Sequence, residues 1–244
     1  MSKPESSTKG PLLVSCSTKH GHSYLDHVET EIRELLKGVK RIVFVPYALY
    51  DRDAYTAKAA ERFDRMGLTL ESVHSAAVPH RLIEEAEAIF IGGGNTFRLL
   101  KNLQDSDLLR LIRTKAERGC PFIGSSAGSI VACPTLKTTK DMPVVQPLSF
   151  DALRLVNFQI SPHYLDSDPH STHMGETQEE RISQYLEENE LPVVGLREAS
   201  WLRVQSGTVR LGGDAHARIF RRGRPPVEVP PGTDLTAAVT GQEE

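Results

Sequence analysis

Hydrophobic positions along the chain fall into two patterns. Residues 12–15 (Leu-Leu-Val-Ser), 41–45 (Arg-Ile-Val-Phe-Val), 88–91 (Ala-Ile-Phe-Ile) and 121–124 (Pro-Phe-Ile-Gly) are short apolar runs without alternation. Such runs predict strands buried on both faces, and strands of that kind pair in parallel. Between them apolar residues recur at helical spacing. Leu25, Val28, Ile32, Leu35 and Leu36 stop at Gly38, residues 53–66 stop at Gly67, and residues 106–118 stop at Gly119. A glycine at each stop suits the left-handed residue that closes a helix. Strand and helix in alternation predict a doubly wound, mostly parallel α/β sheet, with a binding site built by loops at the carboxyl ends of the strands.

The character changes after residue 151. A polar stretch, 163–175, leads into a helix opened by Thr177-Gln178-Glu179-Glu180, which has the capping-box form. Residues 193–196 then read as a further buried strand. Residues 201–205, 208–211 and 217–221 read as a C-terminal antiparallel extension, a meander turning at Ser206-Gly207 and Gly212-Gly213. Arg218, Arg221, Arg222 and Arg224 fit a solvated strand end better than a phosphate site. The expected organisation is a disordered tail over residues 1–10, a single α/β domain over 11–224 and a loosely ordered tail over 225–244.

Composition narrows the partner rather than the fold. With 25% charged and 39% hydrophobic side chains in 244 residues, the chain has the make-up of a soluble globular protein. A formal net charge of −3 gives no electrostatic reason to expect nucleic acid or an anionic membrane. A small molecule is the expected partner, acted on by a monomer or weak homo-oligomer. Three cysteines, Cys16, Cys120 and Cys133, form no CxxC pair and no zinc-like spacing, so neither a metal nor another cofactor is expected. They read as reduced thiols. The polar first ten residues lack a signal-peptide core, and no run nears the roughly 18 apolar residues that span a bilayer. A cytoplasmic location follows as the expectation.

The chemistry gathers at two loops. Gly124-Ser125-Ser126-Ala127-Gly128 matches G-x-S-x-G, a weak signal by itself. Here it directly follows a buried strand and directly precedes a helix-like run, the setting of a nucleophile elbow that lifts Ser126 above the sheet edge. Gly92-Gly93-Gly94-Asn95-Thr96 follows the preceding buried strand, about one βαβ unit earlier. Right-handed crossover places both loops at the same edge. Amides of Gly93 or Gly94 together with that of Ala127 can then face the oxygen of an attacked carbonyl. A phosphate-binding loop is the competing reading, but the run lacks both G-x-x-x-x-G-K and G-x-G-x-x-G.

A serine needs a base, and the base needs an orienting carboxylate. His163 sits just past the strand-like run 158–162, with His170, His173 and His216 as rivals. For the acid, Asp141 and Glu198 each lie in a loop beside strand-forming or proline-containing sequence. Spacing alone does not choose among them.

The motifs in order resemble a known family. I-F-I-G-G-G-N-T-F (89–97), G-S-S-A-G-S (124–129), A-C-P-T-L-K-T-T-K-D-M-P (132–143), P-H-Y (162–164), G-E-T-Q-E-E-R (175–181) and G-L-R-E-A-S-W (195–201) are similar to the dipeptidase E, or α-aspartyl dipeptidase, family of serine peptidases. The resemblance spans about residues 12–220. It implies a flavodoxin-like or class I glutamine amidotransferase-like sheet, not an α/β-hydrolase, and hydrolysis of dipeptides with an N-terminal aspartate. It also implies Ser126 as nucleophile and His163 as base, and it offers both Asp141 and Glu198 as third member. Glu198 is the preferred partner of His163. Asp141 then suits the free α-ammonium of a dipeptide, with Asn95 beside it on the substrate side. Arg181, on the first turns of the capped helix, is the candidate cation for the aspartate side chain; the sequence departs from the family at Gln178, where such sequences often carry arginine, and at Lys140, where they carry a small or amide residue. A cyanophycinase-like peptidase and a non-catalytic small-ligand binder using the glycine loop are the alternatives.

Overall fold

The alternating Cβ direction of a strand sorts the buried runs onto two faces. In the computed structural model, which describes residues 9–170, 172 and 174–241, the first half of the chain forms β1 (Pro11–Val14), α1 (Glu29–Leu35), β2 (Arg41–Val45), α2 (Arg52–Asp64), β3 (Thr69–Ser72), α3 (Pro79–Glu84), β4 (Ile89–Ile91), α4 (Thr96–Asp105), α5 (Leu108–Glu117), β5 (Phe122–Ser125) and α6 (Ala127–Ala132). The second half forms β6 (Gln159–Pro162), α7 (Gln178–Glu188), β7 (Val193–Leu196), β8 (Ser200–Gln205), β9 (Thr208–Gly213), β10 (Ala217–Arg221), β11 (Arg224–Val229) and α8 (Thr236–Thr240).

A seven-stranded sheet runs in the order β3-β2-β4-β5-β1-β8-β9, its first five strands parallel. A four-stranded sheet runs β11-β10-β7-β6, with β6 and β7 parallel. One face of the large sheet presents Leu12, Val14, Ile42, Phe44, Phe90 and Ile123 to Ile32 of α1 and to Tyr55 and Phe63 of α2. The other face presents Leu13, Val43, Val45, Ile89, Ile91 and Phe122 to α4, α5 and α6, and the same cluster takes in Ile160, Val194, Leu196 and Ile219 from the small sheet. The two sheets therefore share one core. Each fully buried side chain of this size contributes about 1.5–3 kcal/mol relative to exposure, so the seam between the sheets is held where apolar burial is densest. On the far side of the small sheet, Ile182 and Leu186 of α7 cover Tyr164, Val193 and Phe220.

The doubly wound parallel sheet agrees with the sequence pattern, and three details differ. The expected meander is divided: β8 pairs with β1 and with β9 in the large sheet, while β10 pairs with β7 in the small one. Gly212 and Gly213 are strand residues rather than a turn, because a Cβ on Gly212 would meet the Trp201 indole Nε1 at 2.3 Å. The break falls at residues 214–216 instead. The tail expected to be loose from residue 225 holds structure. Pro225 and Pro226 lie in β11, an edge strand, where a missing N–H is tolerated, and Leu235 and Val239 are buried against the large sheet. Strand β3 went unread because only one of its four residues is buried. Of the expected N-terminal tail, residues 1–8 lie outside the described residues, and the Lys9 and Gly10 carbonyls accept from Arg203 Nη1 at 3.2 and 3.0 Å.

Candidate active site

The turn from β5 into α6 is tight because of what packs behind it. A Cβ on Gly128 would lie 2.2 Å from the Ile91 carbonyl oxygen, so only glycine lets α6 settle onto β4. Ser129 Oγ donates to the Val14 and Gly124 carbonyls at 2.8 Å each and fixes the start of the helix. Ser126, between strand and helix, is driven to φ 52, ψ −109, a conformation non-glycine residues seldom adopt without strain. Its side chain is half-buried, above the carboxyl edge.

His163 reaches Ser126 from the other sheet. It follows β6, adopts φ 52 and sets Nε2 3.0 Å from Ser126 Oγ. Its Nδ1 lies 3.0 Å from Glu198 Oε1. Glu198 follows β7, the parallel neighbour of β6, so adjacent strand ends deliver base and acid side by side. The turn carrying Glu198 is fixed on both sides. Arg197 pairs with Asp166 and Glu228, which hold its guanidinium pKa above the usual value, and Ala199 takes φ 63 while its amide donates to Cys16 Sγ. Ser126, His163 and Ala199 are three of the seven non-glycine residues with positive φ among the described residues. Backbone strain is thus concentrated around this trio.

The glycine loop lies against the serine. A Cβ on Gly93 would meet Ser126 Cβ at 3.0 Å. The Gly93 amide acts on Tyr55, where it opposes the burial that pushes the phenol pKa up. Gly94 has φ 133, and a side chain there would strike Leu49 and the Ala48 carbonyl within 2.8 Å. Ala127 is the first residue of α6, so its amide has no partner within the helix.

The remaining expected site residues separate by role. Asp141 does not contact His163. Its Oδ2 accepts from the Thr96 amide at 2.7 Å and the Thr96 hydroxyl at 2.6 Å, at the start of α4 beside the glycine loop. The Asn95 side chain, expected on the substrate side, is engaged at both ends. Oδ1 caps α4 by accepting from the Arg98 amide at 3.0 Å, and Nδ2 donates to the Met142 carbonyl at 2.8 Å. Arg181 is half-exposed and faces Glu176 at 3.7 Å. Of the rival histidines, His216 offers its carbonyl to Arg197, His170 bonds Asp168 through its amide, and His173 lies outside the described residues.

Three contributors were not read from sequence. Ser15, just past β1, accepts from the His163 amide at 3.0 Å and donates to the Leu196 carbonyl at 2.7 Å. Gln178 and Lys140 bond the His163 carbonyl. Only the unusual residues at 140 and 178 carried a sequence signal. Among the described residues no group of three or more His, Cys, Asp or Glu side chains is placed to hold a metal ion, and no helix is long and apolar enough to cross a membrane.

A strained serine on a strand-to-helix elbow, bonded to a histidine that is bonded to a carboxylate, is the arrangement of a serine peptidase. The family profile described as Peptidase family S51 matches residues 12–212, and the chain belongs to that family. Peptidase E of Streptomyces coelicolor is 49% identical over 92% of this chain and 93% of its own length. A Drosophila melanogaster protein named "Probable alpha-aspartyl dipeptidase" is 45% identical over 94% of this chain and 97% of its own. Among solved structures, that of a peptidase from an acI-B1 Actinobacterium superposes with a TM-score of 0.68 at 17% identity, covering 92% of this chain and 95% of that one. At that identity it speaks for the fold.

Proposed function

We propose that the protein hydrolyses dipeptides with an N-terminal aspartate through an acyl-enzyme on Ser126. The observation that carries this is the continuous hydrogen-bonded path from Ser126 Oγ through the His163 ring to Glu198, 3.0 Å at each step, beside the glycine loop. Ser126 Oγ attacks the peptide carbonyl while His163 Nε2 takes its proton. Glu198 holds the ring with Nδ1–H toward itself, leaving Nε2 free to accept. The oxyanion that forms is met by the amides of Gly94 and Ala127, since the Gly93 amide is turned to Tyr55. His163 then protonates the leaving amine, and water, activated by the same nitrogen, releases aspartate.

Asp141 supports the restriction to dipeptides. It meets Thr96, at the end of the glycine loop, through Oδ2, a geometry in which Oδ1 can pair with a free α-ammonium. Arg181 is the cation assigned to the aspartate carboxylate; pairing there competes with a long contact, 3.7 Å, to Glu176. The relatives' names support the substrate class. A phosphate-binding role for the glycine loop fits less well, because Gly92 and Gly93 pack against Tyr55 and Ser126 and leave no cradle. A cytoplasmic setting belongs to this reading, with Cys16, Cys120 and Cys133 as free thiols whose burial raises their pKa values and keeps them unreactive.

The test is a panel of Asp-Leu, Glu-Leu, Asn-Leu and N-acetyl-Asp-Leu. Cleavage of Asp-Leu at least about tenfold above each of the others, a discrimination of 1.4 kcal/mol or more, is expected. Equal cleavage of Asn-Leu removes the aspartate assignment, and equal cleavage of N-acetyl-Asp-Leu removes the role given to Asp141.

A further inference from the structure

Four consecutive residues join the two halves of the site, with side chains that go alternately to opposite sides. Thr138 Oγ1 donates to the Ile160 carbonyl at 2.8 Å, and Lys140 Nζ donates to the carbonyls of Pro162 at 2.8 Å and His163 at 2.9 Å, all on β6 or just past it. Thr139 Oγ1 donates to Thr96 Oγ1 at 3.1 Å, and Asp141 binds the Thr96 amide and hydroxyl, all at the start of α4. The run is a two-sided staple between the strand end carrying the base and the loop beside the nucleophile.

Within this staple the Lys140 ammonium has an acceptor for each of its three protons, the third being Gln178 Oε1 at 3.1 Å. Gln178 turns its amide nitrogen to the same His163 carbonyl at 3.3 Å and accepts from the Leu165 amide at 3.1 Å. The His163 amide is held from the other sheet by Ser15 Oγ. The peptide units on both sides of His163 are thus bound where its φ is 52, a left-handed value that an unrestrained histidine seldom keeps.

We propose that Lys140, assisted by Gln178, is a positioning residue for the base: it clamps the main chain at His163 in the left-handed conformation from which the ring reaches Ser126 and Glu198 together. The inference rests on His163 being the base. A saturated ammonium has no proton left for a substrate carboxylate, so the geometry separates this role from that of a specificity cation. The clamp is also pH-limited. Protein crowded around the ammonium lowers the Lys140 pKa to about 8, opposed by Asp141 on the same loop and reinforced by Arg181 on α7; the His163 ring, paired with Glu198, faces the same seam. Below about pH 8 all three carbonyl and amide acceptors keep a donor. As the pH rises through that value one proton and the positive charge are lost, so one of the three Lys140 hydrogen bonds breaks and the other two lose their charge assistance.

The experiment compares Lys140→Met, Lys140→Arg and Gln178→Met with the unaltered protein on Asp-Leu and Asn-Leu across pH 6 to 10. Lys140→Met is expected to lower kcat by tens of fold to about 100-fold, the effect of a slight misplacement of a catalytic group, with KM changed less than threefold. The unaltered protein is expected to lose kcat on an alkaline limb near pH 8 that is missing in Lys140→Met and moved upward in Lys140→Arg. Gln178→Met should show the same kcat effect at a smaller size. An increase in KM for Asp-Leu with kcat and KM for Asn-Leu unchanged would make Lys140 a substrate cation and overturn the proposal, as would an unchanged kcat or a limb persisting in Lys140→Met. If Lys140→Met does not fold, Lys140→Arg and Gln178→Met decide by the same criteria. A second readout needs no turnover: the low-field proton resonance of the His163–Glu198 hydrogen bond should broaden in Lys140→Met and Gln178→Met. Its sharpness in both variants overturns the clamp even where Ser126 chemistry stands, and its loss supports the clamp even where the dipeptide panel fails.

Discussion

The molecule holds a second hydrogen-bonded serine, histidine and carboxylate, and the contrast with the first shows what makes a nucleophile. At the end of β3, Ser72 Oγ lies 2.6 Å from His74 Nδ1, whose Nε2 lies 2.9 Å from Asp53 Oδ1. Judged by distances alone this trio is as good as Ser126, His163 and Glu198. Its surroundings differ in each respect that matters. Ser72 is 5% exposed within an ordinary strand conformation, with Thr56 Oγ1 crowding both serine and histidine at 3.3 and 3.4 Å. The carboxylate is the accessible member, Asp53 at 97% against 11% for the His74 ring. That trio ties α2 to the edge strand. Around Ser126, the residue sits on a strand-to-helix elbow, the histidine is 40% exposed, and the glycine loop and the first amide of α6, to which the proposed mechanism gives the oxyanion, lie beside it. A relay alone does not make a catalyst; access and oxyanion donors do.

Substitutions at matched positions sharpen that contrast. His163→Ala should lower kcat/KM by about 10⁴-fold or more, as removal of the base does where a triad acts as a unit, whereas His74→Ala should leave turnover of Asp-Leu within about twofold and instead lower unfolding stability by about 1 kcal/mol. Parallel turnover assays and urea melts check both halves. Glu198→Gln should cost less than His163→Ala, about 10²-fold, because its 52% exposed carboxylate acts through solvent-screened charge and hydrogen-bond orientation. Asp53→Asn at the other trio should change neither rate nor melting by a measurable amount. Asp141→Asn should reduce the preference for Asp-Leu over N-acetyl-Asp-Leu by about tenfold, the size of one ionic hydrogen bond. An effect on stability alone is expected at Thr177→Ala. That residue accepts from the Glu180 amide in a capping box, and its loss should lower stability by about 1 kcal/mol with activity unaltered.

The same contrast marks how far the sequence could be read. Residues whose role is local were legible: the four unbroken apolar runs became the central parallel strands, and G-S-S-A-G lay where a strand meets a helix because Gly128 must approach Ile91. The Thr177 capping box was legible for the same reason. Contacts made across the chain were not. His163 lies 37 residues from Ser126 and Glu198 another 35 on, so only the pairing of β6 with β7 and the shared core between sheets bring them together. The division of β8 and β9 from β10 depends on which strand each finds, and the alternation within each segment is the same either way. The order in the C-terminal segment rests on two apolar residues, Leu235 and Val239, too few to stand out in a polar, proline-containing stretch. The bonds of Asn95 that cap α4 and hold the Met142 carbonyl were not legible either. Ser15 and Lys140 act on the main chain of His163, and no motif announces a bond to a backbone carbonyl or amide.

The central claim is that Ser126, and not Ser72, is the activated hydroxyl. A small serine-reactive acylating or phosphonylating probe, followed by intact-mass measurement and peptide mapping, tests it in the unaltered protein, in Ser126→Ala and in Ser72→Ala. The account predicts a single adduct on Ser126, formed in parallel with loss of Asp-Leu hydrolysis, retained in Ser72→Ala and absent from Ser126→Ala. An adduct on Ser72, or hydrolysis that continues undiminished in Ser126→Ala, would contradict it.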